Sequence, residues 1–192
     1  MKVTVISGSD HGESERVSCN IVDGVLSGNK NFADLWLLPA GITTFCTDCG
    51  YCFAGEPNKC RHAREVIPIL KSMLTADTVI FVTPSVSGHA PAVMVNFLNY
   101  LAYIQLGHSP IAEMYSKRFV ILSLGDKRAA EDIADNVRLW GASDVHVLAN
   151  ASGRETERLL TAPHKKPGFF ARWQLKRRAK KAGITLPPEL LR

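Results

Sequence analysis

The stretch Lys2-Val3-Thr4-Val5-Ile6-Ser7-Gly8-Ser9-Asp10-His11-Gly12-Glu13-Ser14-Glu15-Arg16 opens the chain and sets the reading of its fold. Lys2 to Ile6 is a short apolar run of β-formers, the mark of a buried strand. Ser7-Gly8-Ser9 ends it. A polar loop then leads to Val17, Ile21 and Val25, whose four-residue spacing is one face of a helix that stops near Gly28.

The same alternation recurs along the chain. Phe32 to Leu38 reads as a second strand closed by Pro39, and Thr78 to Val82 as a strongly apolar third strand ending at Thr83-Pro84. Phe119 to Leu122 is a fourth, ending at Gly125, and Val145 to Leu148 a fifth. Between them, Val66, Ile67, Leu70, Met73 and Leu74 mark one helix, Met94, Phe97, Leu98, Leu101 and Ile104 another, and Ile133, Val137 and Trp140 a third. Residues 40–60 show neither period. Continuous apolar strands separated by helices imply a parallel sheet covered on both faces. Right-handed crossovers then make the five-stranded doubly wound order 2-1-3-4-5 the natural candidate. The expected domain spans residues 1–150, with an extension over 151–192.

In such a sheet ligands bind beyond the carboxyl ends of the strands. Four loops lie there. In the first, Ser7, Ser9, His11, Ser14 and Arg16 are candidate ligands for a phosphate, because free amides at a helix start favour an anion and hydroxyls add donors. The competing reading is an ordinary turn capped by Ser14. Asp10, Glu13 and Glu15 oppose an anion unless they point away, with His11 and Arg16 to offset them. The third loop, Thr83-Pro84-Ser85-Val86-Ser87-Gly88, can lie flat against a planar ligand and donate amides, or it is simply a turn before a helix that starts at Pro91. Gly125, at the end of the fourth strand, joins the same group.

The second loop holds Cys46, Cys49, Cys52 and Cys60 in the pattern C-x2-C-x2-C-x7-C. Four thiolates in a short non-periodic loop suit a [4Fe–4S] cluster. Tetrahedral zinc accepts the same sulfurs, and metal-free or redox-active thiols are the third reading. Cys19, on the first helix, reads as an inert buried thiol.

Together these residues resemble the NADPH-dependent FMN reductase family, and within it the iron–sulfur flavoproteins. The resemblance rests on Ser7-Gly8-Ser9 after the first strand, on Thr83 to Gly88 and on the four-cysteine loop, and it covers roughly residues 1–150. It implies a flavodoxin-like fold, FMN held by the first and third loops, a homodimer or homotetramer, NAD(P)H as electron donor and a small-molecule or protein redox partner. In the iron–sulfur members it implies a cluster that exchanges electrons with the flavin, and an FMN oxidoreductase of that type is the expected function. The alternatives are a cluster-free NAD(P)H-dependent flavin, quinone or azo reductase, and a non-enzymatic zinc-stabilised binding module on a flavodoxin scaffold. No G-x-G-x-x-G fingerprint follows the first strand, so NAD(P)H use comes from the resemblance alone. It assigns no side chain as a catalytic acid or base.

The net charge of +5 is unevenly placed. From Arg158 to Lys181 there are nine Lys/Arg and no Asp or Glu; the remainder holds 14 basic against 18 acidic residues, a net of −4. Arg172, Lys176 and Lys180 share one helical face, with Arg177 and Lys181 beside it and Phe169, Phe170 and Trp173 adjoining. The preferred reading is a solvated helix whose aromatics pack on the domain or another subunit, over a docking helix for an acidic partner or an interfacial membrane helix. No nucleic-acid-binding motif accompanies the charge. No apolar run reaches the roughly 18 residues that span a bilayer, and Met1 to Ile6 is too short for a signal segment. A cytoplasmic location is the resulting expectation, under which cysteines read as metal-binding or redox residues.

Overall fold

The computed structural model describes residues 1–28, 30–51, 54, 56–108, 112–151, 153–163 and 168–182. Its five strands are β1 (Lys2–Ser7), β2 (Phe32–Leu37), β3 (Thr78–Pro84), β4 (Arg118–Leu124) and β5 (Asp144–Ala149). They form one parallel sheet in the order 2-1-3-4-5, as the alternation of apolar runs predicts. The helices are α1 (Gly12–Leu26), the short α2 (Leu38–Gly41), α3 (Ala63–Thr75), α4 (Ala92–His108), α5 (Lys127–Leu139), α6 (Gly153–Thr161) and α7 (Phe169–Ala182).

Two layers of core follow from the alternation of side chains along each central strand. Ile6, Val79, Phe81, Phe119 and Ile121 face α3, α4 and α5, while Val3, Val5, Ile80, Val82, Val120 and Leu122 face α1. Central strands buried on both sides carry unbroken apolar runs, which is why β1, β3 and β4 are so legible. The edge strands β2 and β5 are only half-buried.

Three details depart from the sequence reading. The region 40–60, read as irregular throughout, begins inside α2 and includes a 3-10 turn at Pro57–Lys59. The helix α6 had no counterpart: its Leu159 and Leu160 pack on the α1-side core and Thr156 is buried, a Thr156/Leu159/Leu160 spacing that its charged neighbours mask. The third concerns α7, a helix as expected, whose aromatics do not pack on the described domain: Phe169, Phe170 and Trp173 are 78%, 69% and 46% exposed. Cys19 is half-buried on α1.

Register places the site. Ser7 of β1 pairs with Leu37 and Val82, Val82 with Leu122, and Leu122 with Leu148. These residues are level across the sheet, so the loops that follow β1, β2, β3 and β4 leave along one edge.

Candidate functional site

The first loop is built from its own hydroxyls. Ser7 Oγ donates to the Ser9 carbonyl at 2.6 Å and shares a hydrogen with Ser14 Oγ at 2.9 Å. Ser9 Oγ donates to the His11 carbonyl at 3.1 Å. All three serines are buried, so their hydroxyls shape the turn from inside. The turn is not capped by Ser14: α1 starts at Gly12, its N-cap is His11, and no side chain caps its first amides. Gly12 has φ +67° and open space where a Cβ would stand. Two of the three acidic residues of the loop have a basic partner. Asp10 Oδ1 lies 2.9 Å from His11 Nδ1, a bond that holds the carboxyl below its usual range, and Glu13 lies 3.4 Å from Arg16. His11 and Arg16 are thus tied to carboxylates on the exposed side of the turn.

The third loop is a small hairpin. Val86 and His89 exchange both backbone hydrogen bonds, at 2.8 and 3.0 Å, around Ser87 (φ +53°) and Gly88 (φ +86°). Two consecutive left-handed residues make the tight two-residue turn that glycine favours. Val86 projects from it, 56% exposed.

Close approaches fix this hairpin to the loops on either side. A Cβ on Gly8 would stand 3.2 Å from Pro91 Cγ and 3.4 Å from Thr83 Oγ1, so the first loop lies directly on the third. A Cβ on Gly125 would stand 2.8 Å from Ser85 Cβ, and one on Gly88 would stand 2.6 Å from Arg128 Nη2. Arg128 is itself held by Asp126, whose carboxylate caps α5 by accepting from the Arg128 amide at 2.9 Å and from its guanidinium at 2.8 Å. Those bonds bring the Asp126 carboxyl down to about 2. Asp126 and Arg128 escaped the sequence reading, although Asp-x-Arg at a helix start is a readable capping signal. Ser7, Ser9, Ser14, Thr83, Pro84, Ser85, Val86, Ser87, Gly88 and Gly125 therefore belong to three loops in direct contact.

The cysteine loop leaves the same edge and is held by α4. Asn96 Oδ1 accepts from the Cys46 amide at 3.0 Å, and Asn96 Nδ2 donates to the Thr44 carbonyl at 2.9 Å. Tyr100 Oη donates to that carbonyl at 3.3 Å. Thr44 Oγ1 bonds His62 Nδ1 at 2.7 Å, and the buried His62 ring lies 5.1 Å from that of Tyr100. Asn96 was missed; its signal is a polar residue inside the otherwise apolar run Met94–Leu98.

Three of the four cysteines are neighbours. The Cys60 thiol is pushed up by burial first and then by Cys49 and Cys46, with Cys49 in side-chain hydrogen-bond contact. Burial, with Cys46 next, raises the Tyr100 hydroxyl to about 12. Cys52, the fourth predicted ligand, lies outside the described residues. Among the described residues, no group of three His, Cys, Asp or Glu side chains is arranged to hold a metal ion. Two clefts flank the loop, one of about 390 Å³ lined by residues including Pro39, Phe45 and Asn96, the other of about 560 Å³ lined by residues including Phe45, Arg61 and His62.

Solved structures share this fold. An NADH:FMN oxidoreductase in its apo form superimposes with a TM-score of 0.53 at 12% identity, over 98% of this chain and 92% of that one. An FMN-dependent NADH-azoreductase from Bacillus anthracis, solved with FMN, gives 0.58 at 11% identity, over 95% and 100%. A mutant flavodoxin from Pseudomonas aeruginosa gives 0.50 at 15% identity, over 82% and 91%. These likenesses establish the flavodoxin-like fold. No curated protein matches the sequence. The family model for NADPH-dependent FMN reductases matches residues 1–153, which takes in the whole sheet and every loop of its carboxyl edge, and the chain belongs to that family.

Proposed function

We propose that this chain is an NAD(P)H-dependent FMN oxidoreductase, a flavin, quinone or azo reductase, in which the cysteines serve as thiols. The observation that carries this reading is the contact of the first, third and fourth loops through Gly8, Gly88 and Gly125 at the carboxyl edge of the sheet, in a chain of the FMN reductase family.

The residues present fit the cofactor. The uncapped first turn of α1 and the open space at Gly12 leave backbone amides for the FMN phosphate. The inward-turned Ser7, Ser9 and Ser14 fix that turn, and His11 and Arg16 engage the carboxylates of Asp10 and Glu13 on its exposed side. Thr83 to Gly88 forms the platform for the flavin ring: Val86 gives an apolar contact where a large aromatic is absent, and the Ser87-Gly88 turn holds backbone at a fixed distance. Gly125 lets the fourth loop close against Ser85. FMN bound there supplies hydride acceptance from NAD(P)H and delivery to an acceptor. The protein's own contribution is binding, orientation and exclusion of water.

The test is flavin content and reactivity. Purified protein is expected to carry stoichiometric FMN that NADPH or NADH bleaches rapidly, with the same rate in Cys52→Ser. Absence of FMN, or bleaching abolished in that variant, overturns the reading.

One observation favours a second reading, an iron–sulfur flavoprotein that passes electrons between FMN and a [4Fe–4S] cluster. Cys49 touches Cys60, and Cys46 lies close enough to act on the same thiol; Cys52 completes the four-thiolate pattern in sequence. Iron and acid-labile sulfide in protein purified without oxygen, lost in Cys52→Ser, establish this reading in place of the first.

A further inference from the structure

We propose that α7 docks on an anionic lipid surface, with Phe169, Phe170 and Trp173 seated among the headgroups and Lys176, Arg177 and Lys180 pairing with lipid phosphates and carboxylates.

The argument begins with what α7 leaves open. Its three large aromatics are exposed, and α7 has no substantial contact with any other described element. At 100° per residue, Phe169, Trp173, Lys176 and Lys180 fall on one stripe, with Phe170 and Arg177 flanking it. Rings occupy its amino-terminal half and cations its carboxyl-terminal half, on the same side. The stripe is ordered within itself: Phe170 and Trp173 have ring centroids 5.7 Å apart, and the Arg177 guanidinium lies 5.6 Å from the Trp173 centroid. A ligand must therefore meet apolar and cationic groups together. The boundary of an anionic bilayer does so, with aromatics at headgroup depth and long basic side chains reaching to the phosphates.

Charge complementarity selects the occupant. Every charged residue from Arg158 to Lys181 is basic, nine in all, whereas the rest of the chain is net acidic. A cluster of Lys and Arg on a helix that also carries exposed aromatics is the pattern that anionic headgroups recognise. With no acidic residue among its charges, the segment suits a laterally uniform anionic surface. The acidic remainder is repelled by that surface, so the molecule meets it tail first. No described helix is long and apolar enough to cross a membrane, so α7 would lie in the interface.

Arg118, at the start of β4, holds the carbonyls of Leu159, Ala162 and Pro163. The segment that ends α6 thus lies at the sheet edge opposite the loops that follow the strands.

Flotation of the full chain with phosphatidylcholine vesicles, with and without phosphatidylserine, tests the proposal. Binding is expected only with phosphatidylserine, weakening as salt rises. The double variant Lys176→Glu, Lys180→Glu is expected to lower partitioning at least about tenfold, since it replaces two attractive charges by two repelled ones. Trp173→Ser is expected to weaken it as well, with circular dichroism unchanged in both variants. Equal partitioning onto both vesicle types overturns the proposal. So does a vesicle-free sedimentation coefficient that falls in the double variant, which would assign the stripe to a second copy of the chain, or binding of duplex DNA in place of vesicles.

Discussion

The Arg118 guanidinium lies 3.0 Å from the Asp144 carboxylate, and the two side chains are only 1% and 3% exposed. The same guanidinium donates to the carbonyls of Leu159, in the last turn of α6, and of Ala162 and Pro163 just beyond it. One cation therefore joins β4, β5 and the helix that follows the sheet. Asp144 also lies 2.8 Å from Nε2 of the half-exposed His146.

Replacing Arg118 by Met keeps most of the apolar stem and removes every one of those donors. The buried Asp144 carboxylate then loses its guanidinium, a class of change that costs about 3–5 kcal/mol. Urea unfolding of Arg118→Met is expected to show that loss, and limited proteolysis is expected to cleave within 153–163 before the sheet unfolds. The double variant Arg118→Met, Asp144→Leu is expected to recover part of the stability, because no uncompensated charge remains. Equal stability of Arg118→Met and wild type would show that the pair is neutral.

The contact of Gly125 with Ser85 makes a sharper prediction about the proposed flavin site. Gly125 has φ +144°, and a Cβ there would stand 2.8 Å from Ser85 Cβ, an atom too close to its backbone to swing aside. Gly125→Ala must therefore strain its own backbone or push the Pro84–Gly88 loop away. Fluorescence titration is expected to show FMN affinity lowered at least about tenfold, equivalent to about 1.4 kcal/mol, in a protein with unchanged far-ultraviolet circular dichroism. Gly88→Ala faces the end of the flexible Arg128 side chain, at 2.6 Å, and is expected to be milder. Unchanged affinity in Gly125→Ala would remove the third and fourth loops from the site.

The sheet was legible because its signals are local. Burial on both faces forces continuous apolar runs on β1, β3 and β4, and those runs alone order the elements. The shared edge of the candidate loops was legible by position, since strand ends on a doubly wound sheet lie together. Its internal wiring was not. That Ser7 meets Ser14, that Asn96 reaches the backbone of Cys46 and that Arg128 covers Gly88 are consequences of tertiary approach, and sequence spacing carries no trace of them. The surroundings of the basic tail were not legible for a related reason. Periodicity identified a helix, but whether Phe169, Phe170 and Trp173 find a surface to cover depends on the packing of a distant element.

Asp126 offers a test of the fourth loop that pH alone can perform. Its carboxylate accepts hydrogen bonds from the Arg128 guanidinium and amide, and these hold it at about 2, against an ordinary value of 3.8. A carboxyl whose folded value lies below its unfolded value favours the folded state wherever it is ionised in both states, that is, above 3.8. Its contribution falls away as pH drops through that window and is gone below about 2. Asp126→Asn keeps the size of the cap and removes the charge. The variant is expected to melt below wild type near neutral pH, with the gap closing as pH falls from 3.8 toward about 2. Because Asp126 also holds Arg128 over Gly88, the variant is expected to bind FMN more weakly near neutral pH. A melting gap of constant size across that pH window would mean that the cap acts through geometry and not through charge.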